Sequence, residues 1–177
     1  MTLQKRLTAL HYFDVGTIDG IFGSGTYHAV VAFQKVQRIA RDGIVGPVTW
    51  DKLASPFLPK PRYPLKRTSV EVNLTRQVVY YVSDRSVARI LDTSTGKPST
   101  VTPTGRFKII RRINGWHRSP LGYLYRPNYF YKGYAIHGYA SVPAYPASHG
   151  CVRITIPTMD RMWASLRLGM PVAIYRS

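Results

Sequence analysis

Four prolines fall within the ten residues Ser55-Pro56-Phe57-Leu58-Pro59-Lys60-Pro61-Arg62-Tyr63-Pro64. Each removes a backbone donor and fixes φ, so neither a helix nor a central strand can run through the segment. A stiff, extended connector is expected there, and the chain on either side has to fold as its own unit. The expected division is residues 1–55, a connector over 56–67, and residues 68–177. Charge divides in the same way. Residues 1–60 carry 7 basic and 4 acidic side chains and residues 61–177 carry 18 and 4, giving the 177-residue chain a net charge of +17. A surface this basic attracts polyanions at long range; nucleic acid, anionic membrane and acidic cell-wall polymer all qualify as partners. No stretch approaches the roughly 20 apolar residues that span a bilayer, so no integral membrane segment is expected. The start, Met1-Thr2-Leu3-Gln4-Lys5-Arg6, lacks the apolar core of a secretory signal.

The first unit contains a short repeat, Asp19-Gly20-Ile21-Phe22-Gly23-Ser24-Gly25-Thr26 against Asp42-Gly43-Ile44-Val45-Gly46-Pro47-Val48-Thr49. Each copy reads as a turn that launches a helix, with capping side chains expected from Ser24, Thr26 and Thr49 and a first-turn proline from Pro47. Ala29, Ala32, Phe33, Val36, Ile39 and Ala40 then recur at helical spacing. Leu3, Leu7 and Leu10 suggest an earlier helix of the same kind. Three short helices around one small core are the expectation for this unit.

The second unit changes period. Val70, Val72 and Leu74 alternate with Glu71, Asn73 and Thr75, and Val78-Val79-Tyr80-Tyr81-Val82 follows after a turn, a hairpin pattern rich in β-branched and aromatic residues. Further strands are predicted near 87–92, 106–113, 130–136, 151–156 and 171–175. One helix is predicted from Pro157 to Gly169, with Met159, Met162, Trp163 and Leu166 as its apolar face. The fold class is therefore a small helical domain followed by a β-rich, sandwich-like domain with one helix in its C-terminal half.

Residues 135–154 hold two of the five histidines and the single cysteine. One cysteine excludes an intrachain disulfide framework and leaves three possibilities for Cys151: a buried structural thiol, a mixed metal site with His137 and His149, or a nucleophile. A thiol becomes an effective nucleophile near neutrality when a histidine can take its proton, and His137 and His149 are both candidates. Gly138 and Gly150 flank candidate catalytic residues, where a missing side chain lets a substrate approach or an N–H face a developing oxyanion. Between 114 and 131, aromatics including Trp116, Tyr123 and Tyr125 are interleaved with glycines and prolines. A loop or flap over a groove, with rings stacking on peptide or sugar, stands beside simple packing onto the sheet. The remaining histidines, His11, His28 and His117, have no such company, although His117 lies in the aromatic stretch and could touch a ligand.

His137-Gly138, then Ser148-His149-Gly150-Cys151-Val152-Arg153, resembles the signature of the L,D-transpeptidase catalytic family, bacterial cysteine enzymes that cross-link peptidoglycan. Thr102-Pro103-Thr104-Gly105-Arg106-Phe107 resembles a further stretch typical of that domain. Residues 3–53, with Leu3-Gln4, the Asp-Gly repeat, Phe33-Gln34 and Thr49-Trp50-Asp51-Lys52-Leu53, are similar to the three-helix peptidoglycan-binding domain often joined to it. The resemblance implies Cys151 as nucleophile and His137 as general base, oriented by the Gly138 carbonyl rather than by a carboxylate. It implies an oxyanion hole from the N–H groups of Gly150 and Cys151 with His149, loop fixation by Ser148, and capture of a stem-peptide carboxylate by Arg153, for which a structural ion pair is the alternative. It further implies a reaction at tetrapeptide stems that releases D-Ala and forms 3→3 cross-links, with water or a D-amino acid as other acceptors, and acylation by carbapenems. No metal or cofactor is called for. The expected partners are peptidoglycan and anionic wall polymer rather than nucleic acid, for which no motif is present. The resemblance places the protein outside the cytoplasmic membrane; a monomer is expected. A non-catalytic wall-binding protein is the competing reading.

Overall fold

The computed structural model describes residues 2–177. Three helices come first: α1 (Leu3–Ala9), α2 (Ser24–Gln37) and α3 (Pro47–Ala54). The expected capping is not what starts them. α2 and α3 begin behind Gly23 and Gly46, with no side-chain cap. The repeat is closed instead by two glutamines. Gln4 Nε2 donates to Asp19 Oδ1, Ile21 O and Thr26 Oγ1, and its Oε1 accepts from Gly20 N–H. Gln34 makes the same four bonds with Asp42, Ile44, Thr49 and Gly43. Thr26 and Thr49 thus serve the turn rather than the helix end. α2 also stops at Gln37, short of the predicted Ala40, because Arg38 turns left-handed at φ 59°.

Ten strands form two sheets among the described residues. The first has the order β3-β2-β1-β10-β4, from β1 (Ser69–Asn73), β2 (Val78–Ser83), β3 (Ser86–Asp92), β4 (Gly105–Lys108) and β10 (Pro171–Tyr175). The second has the order β5-β7-β8-β9, from β5 (Arg111–Arg112), β7 (Gly122–Tyr131), β8 (Tyr134–Tyr139) and β9 (Val152–Thr155), with β6 (Trp116–Ser119) paired to β7. β1 runs parallel to β10 and β8 runs parallel to β9. The sheets share a core that includes Val70, Val72, Leu91, Phe130, Ile136, Val152 and Ile154, and Met159 and Met162 of α4 (Ile156–Met162) close it.

The helices do not build a core of their own as predicted. Leu7, Ala29, Val30, Phe33, Val36 and Leu53 pack with Val78, Tyr80, Val82 and Ile90, the outer face of the first sheet. Val79 and Tyr81 point the other way, into the core between the sheets. This double burial is why β2 reads as a continuous apolar run rather than as an alternation, with each large side chain contributing roughly 1.5–3 kcal/mol. The connector lies along the sheet, where the N–H groups of Arg62 and Tyr63 donate to Glu71 at 2.8 Å. Of the polar positions of the predicted alternation, Glu71 is therefore buried, Asn73 is buried with its side chain bonded to Ser177, and Thr75 stays exposed.

Several predicted boundaries shift. The 106–113 run splits between the two sheets as β4 and β5, and 130–136 straddles the β7–β8 turn at Lys132-Gly133. The predicted flap at 114–131 is the β6–β7 hairpin. The predicted helix to Gly169 ends at Met162.

Candidate active site

β8 and β9 build the site by their register. His137 pairs with Arg153 and Ile136 with Val152. Side chains alternate along a strand, so Ile136, Val152 and Ile154 enter the core while His137, Tyr139, Arg153 and, one step before β9, Cys151 share the other face. All four of these line one cavity of about 340 Å³. Ser148, His149, Tyr129, Gly133, Arg111, His117 and Arg118 to Leu124 of the hairpin also line it. Three arginines and no carboxylate line this space, a field that favours anionic ligands.

His137 is 3% exposed and its Nδ1 lies 2.9 Å from the Gly138 carbonyl. A carbonyl only accepts, so Nδ1 carries the proton and Nε2 keeps its lone pair. Burial pushes the His137 pKa down to about 4; the Gly138 carbonyl opposes the shift and the charge of Arg153 adds to it. The imidazole is neutral at pH 7. The Cys151 thiol is half-buried beside Leu124, Tyr129 and Ala135, with Sγ 3.8 Å from Gly133 O. Burial pushes its pKa up, against the Ala135 N–H and the charge of Arg153. Thiol and imidazole therefore rest as a neutral pair in one cleft, with no hydrogen bond between them among the described residues.

The loop before Cys151 is held by hydroxyls. Ser148 Oγ donates to Cys151 O at 2.6 Å and accepts from Gly150 N–H at 3.0 Å. Thr100 Oγ1 donates to Ser148 O and Thr102 Oγ1 to Gly150 O, while Thr95 O accepts from the N–H groups of Ala147 and Ser148. The Gly150 N–H, expected to face an oxyanion, is already donated to Ser148. Gly150 is glycine for packing and backbone reasons: φ is 113° and a Cβ would stand 2.4 Å from the Tyr134 ring. Gly138 likewise makes room on the core side, where a Cβ would meet Tyr125 at 3.0 Å and Met159 at 3.2 Å.

Cys151, His137, His149, Ser148, Arg153 and Tyr123 are brought together; Trp116 and Tyr125 are not. Tyr125 turns away, its hydroxyl donating to Asp160 at 2.8 Å with Trp116 packed on its ring at 5.0 Å. Arg153 has no carboxylate partner among the described residues and stacks on Tyr139 at 4.1 Å. Thr93, Ser94, Thr95 and Thr100, which brace the loop, carried no sequence signal beyond being small and polar. Thr102 stood in the Thr-Pro-Thr-Gly stretch. A larger cavity of about 700 Å³, between the connector and β1, β4 and β10, contains neither thiol nor imidazole.

Fold and site together define a class: a two-sheet domain whose cationic cleft holds a thiol and an oriented, neutral imidazole, joined to a small helical unit. Residues 67–174 match the L,D-transpeptidase catalytic domain, and residues 1–53 match a peptidoglycan binding domain. The chain belongs to the L,D-transpeptidase family. It is similar to an L,D-transpeptidase crystal structure from Xylanimonas cellulosilytica, with 40% identity and a TM-score of 0.93 over 98% of this chain and 91% of that one. A second, from Stackebrandtia nassauensis, gives 25% identity and 0.62 over 98% and 88%. A spore cortex-lytic enzyme of Oceanobacillus iheyensis is 35% identical over 79 residues, 45% of this chain and 27% of that protein's length. No helix among the described residues is long and apolar enough to cross a membrane.

Proposed function

We propose that the protein is an L,D-transpeptidase acting on peptidoglycan tetrapeptide stems, releasing D-Ala and forming 3→3 cross-links outside the cytoplasmic membrane. The observation that carries this reading is the His137 tautomer: the Gly138 carbonyl fixes Nδ1–H, leaving Nε2 as the base in the cavity that Cys151 shares. Residues 1–55 hold the wall polymer, 56–67 connect, and 68–177 carry the chemistry.

As substrate enters, the thiol swings from Gly133 to His137 and Nε2 takes its proton. Sulfur attacks the carbonyl at the L-centre of the third stem residue. The Cys151 N–H, with that of His149, donates to the oxyanion, since Gly150 N–H is occupied. Collapse expels the D-Ala amine with the proton from Nε2, leaving a thioester. A side-chain amine of a neighbouring stem then attacks the thioester, gives up its proton through His137, and releases the thiol. Arg153 and Tyr123 hold the donor stem, whose carboxylates suit the cationic cleft.

The test is mass spectrometry of products from a disaccharide-tetrapeptide donor under reducing conditions. The expected product is a dimer of two donors less one D-Ala, absent with Cys151→Ala. Tripeptide monomer alone would make the protein a carboxypeptidase. Unchanged donor, with sacculi still bound, would make it a wall-binding protein.

A further inference from the structure

We propose that Thr93 is a positioning residue for Arg153, and that the Lys35–Asp92 pair extends this hold into the helical domain. The inference rests on the cysteine chemistry proposed above and adds to it a route by which the helical domain reaches the cleft.

The joint between α2 and β3 is a buried charged seam. Lys35, Asp92 and Asp14 are each at most 1% exposed. Lys35 Nζ donates to Asp92 Oδ1 at 2.5 Å and to Thr93 O at 2.9 Å. His28 Nδ1 lies 2.7 Å from Asp92 Oδ2, and the Asp92 N–H donates to Asp14 Oδ2 at 2.7 Å. A buried ion pair is a poor device for stability alone, because desolvation offsets most of the attraction. What it does well is fix register, and here it fixes the main chain at Asp92-Thr93.

The next bonds lead into the cleft. Thr93 Oγ1 donates to the Arg153 carbonyl at 2.6 Å, and Ser94 exchanges N–H···O bonds with Arg153 in both directions at 3.0 and 3.1 Å. Arg153 stands two residues beyond Cys151 and pairs with His137 in the ladder. Its positive charge favours the thiolate at Cys151 and disfavours imidazolium at His137. A displaced Arg153 therefore changes the chemistry of both without touching either. A tethered binding domain needs no buried lysine bonded to the strand that braces the catalytic loop; this one has it.

The test compares Thr93→Val, which removes the hydroxyl and keeps the shape, with Thr93→Ser, which keeps the hydroxyl. The readout is the rate of Cys151 alkylation by iodoacetamide at pH 8 on the folded full chain, beside kcat and KM with the muropeptide donor. Alkylation and kcat are expected to fall about tenfold in the valine variant and to return to about the wild-type rate in the serine variant. Lys35→Met combined with Asp92→Asn removes both charges together, so neither is stranded, and is expected to slow alkylation similarly. Wild-type alkylation in Thr93→Val, or equal losses in the two Thr93 variants, would overturn the role of Thr93; an unchanged rate in the double variant would overturn the extension to the helical domain. Alkylation does not depend on the acceptor, so a wild-type protein that forms no dimer would sink the transpeptidase reading while leaving this comparison decisive.

Discussion

At the joint of the two domains, Lys35 and Asp92 bury opposite charges against each other and surround them with donors and acceptors. In the cleft, the half-buried Cys151 thiol and the buried His137 imidazole are neutral and unbonded to each other. Burial acts on both places in the same way, disfavouring the charged form of each group. The joint answers with a partner, and the result is a fixed register. The cleft leaves the conflict open, and the result is a pair that reacts only when a substrate brings sulfur and nitrogen together. Thr93 connects the two regimes, its carbonyl accepting from Lys35 and its hydroxyl donating to the Arg153 carbonyl.

The sharpest break in this contrast comes from the cleft. Cys151→Ala is expected to lower turnover on the order of 10⁴-fold or more with little change in Tm, measured by product mass spectrometry beside thermal melting. His137→Gln keeps a hydrogen-bonding side chain but removes the base, and should cost about 10²–10⁴-fold in kcat. At the joint the order reverses, with stability changing first. Lys35→Met strands a buried carboxylate and should destabilise by about 3–5 kcal/mol in urea unfolding, most of it recovered when Asp92→Asn is added.

Smaller effects follow from pH. The raised pKa of Cys151 means that alkylation should keep climbing above the ordinary thiol range instead of reaching a plateau near pH 6, as a preformed thiolate–imidazolium pair would. Stability carries opposing slopes. Between pH 6.5 and about 4 the unfolded chain protonates His137 and the folded chain does not, so this group removes stability as pH falls. Asp14 is raised above the carboxylate range by burial first and by the charge of Asp92 second, so it removes stability as pH rises. Wild type should therefore be nearly flat through this window, and Asp14→Asn should show the histidine slope alone.

Which residues share the cleft was partly legible because much of it is local. Ser148 to Arg153 is one contiguous stretch, and the strand period puts Cys151 and Arg153 on one face; His137 joins them only through the β8–β9 register. The apolar run of β2 was legible for the same reason. The glutamine closures were not, since Gln4 lies 15 residues from Asp19 whereas Gln34 lies 8 from Asp42, and a repeat search at fixed offsets passes over them. The Thr93–Arg153 bond spans 60 residues, so only the fold creates it. The aromatic stretch misled because of a bulge. The register of β7 slips between Tyr125 and Asn128, with Arg126 at φ 47°, so Leu124 and Tyr129 both face Cys151 while Tyr125 packs toward the core. Composition counts rings; it does not count the residue a bulge inserts.

The central claim is that the Cys151 thiol carries the donor stem as a thioester. Intact-protein mass spectrometry after a brief incubation with tetrapeptide donor and an acid quench reads this directly. The account predicts an adduct of one donor less one D-Ala, located at Cys151 by peptide mapping and missing in Cys151→Ala. Product formation at equal rates in wild type and in Cys151→Ala, with no adduct in either, would contradict it.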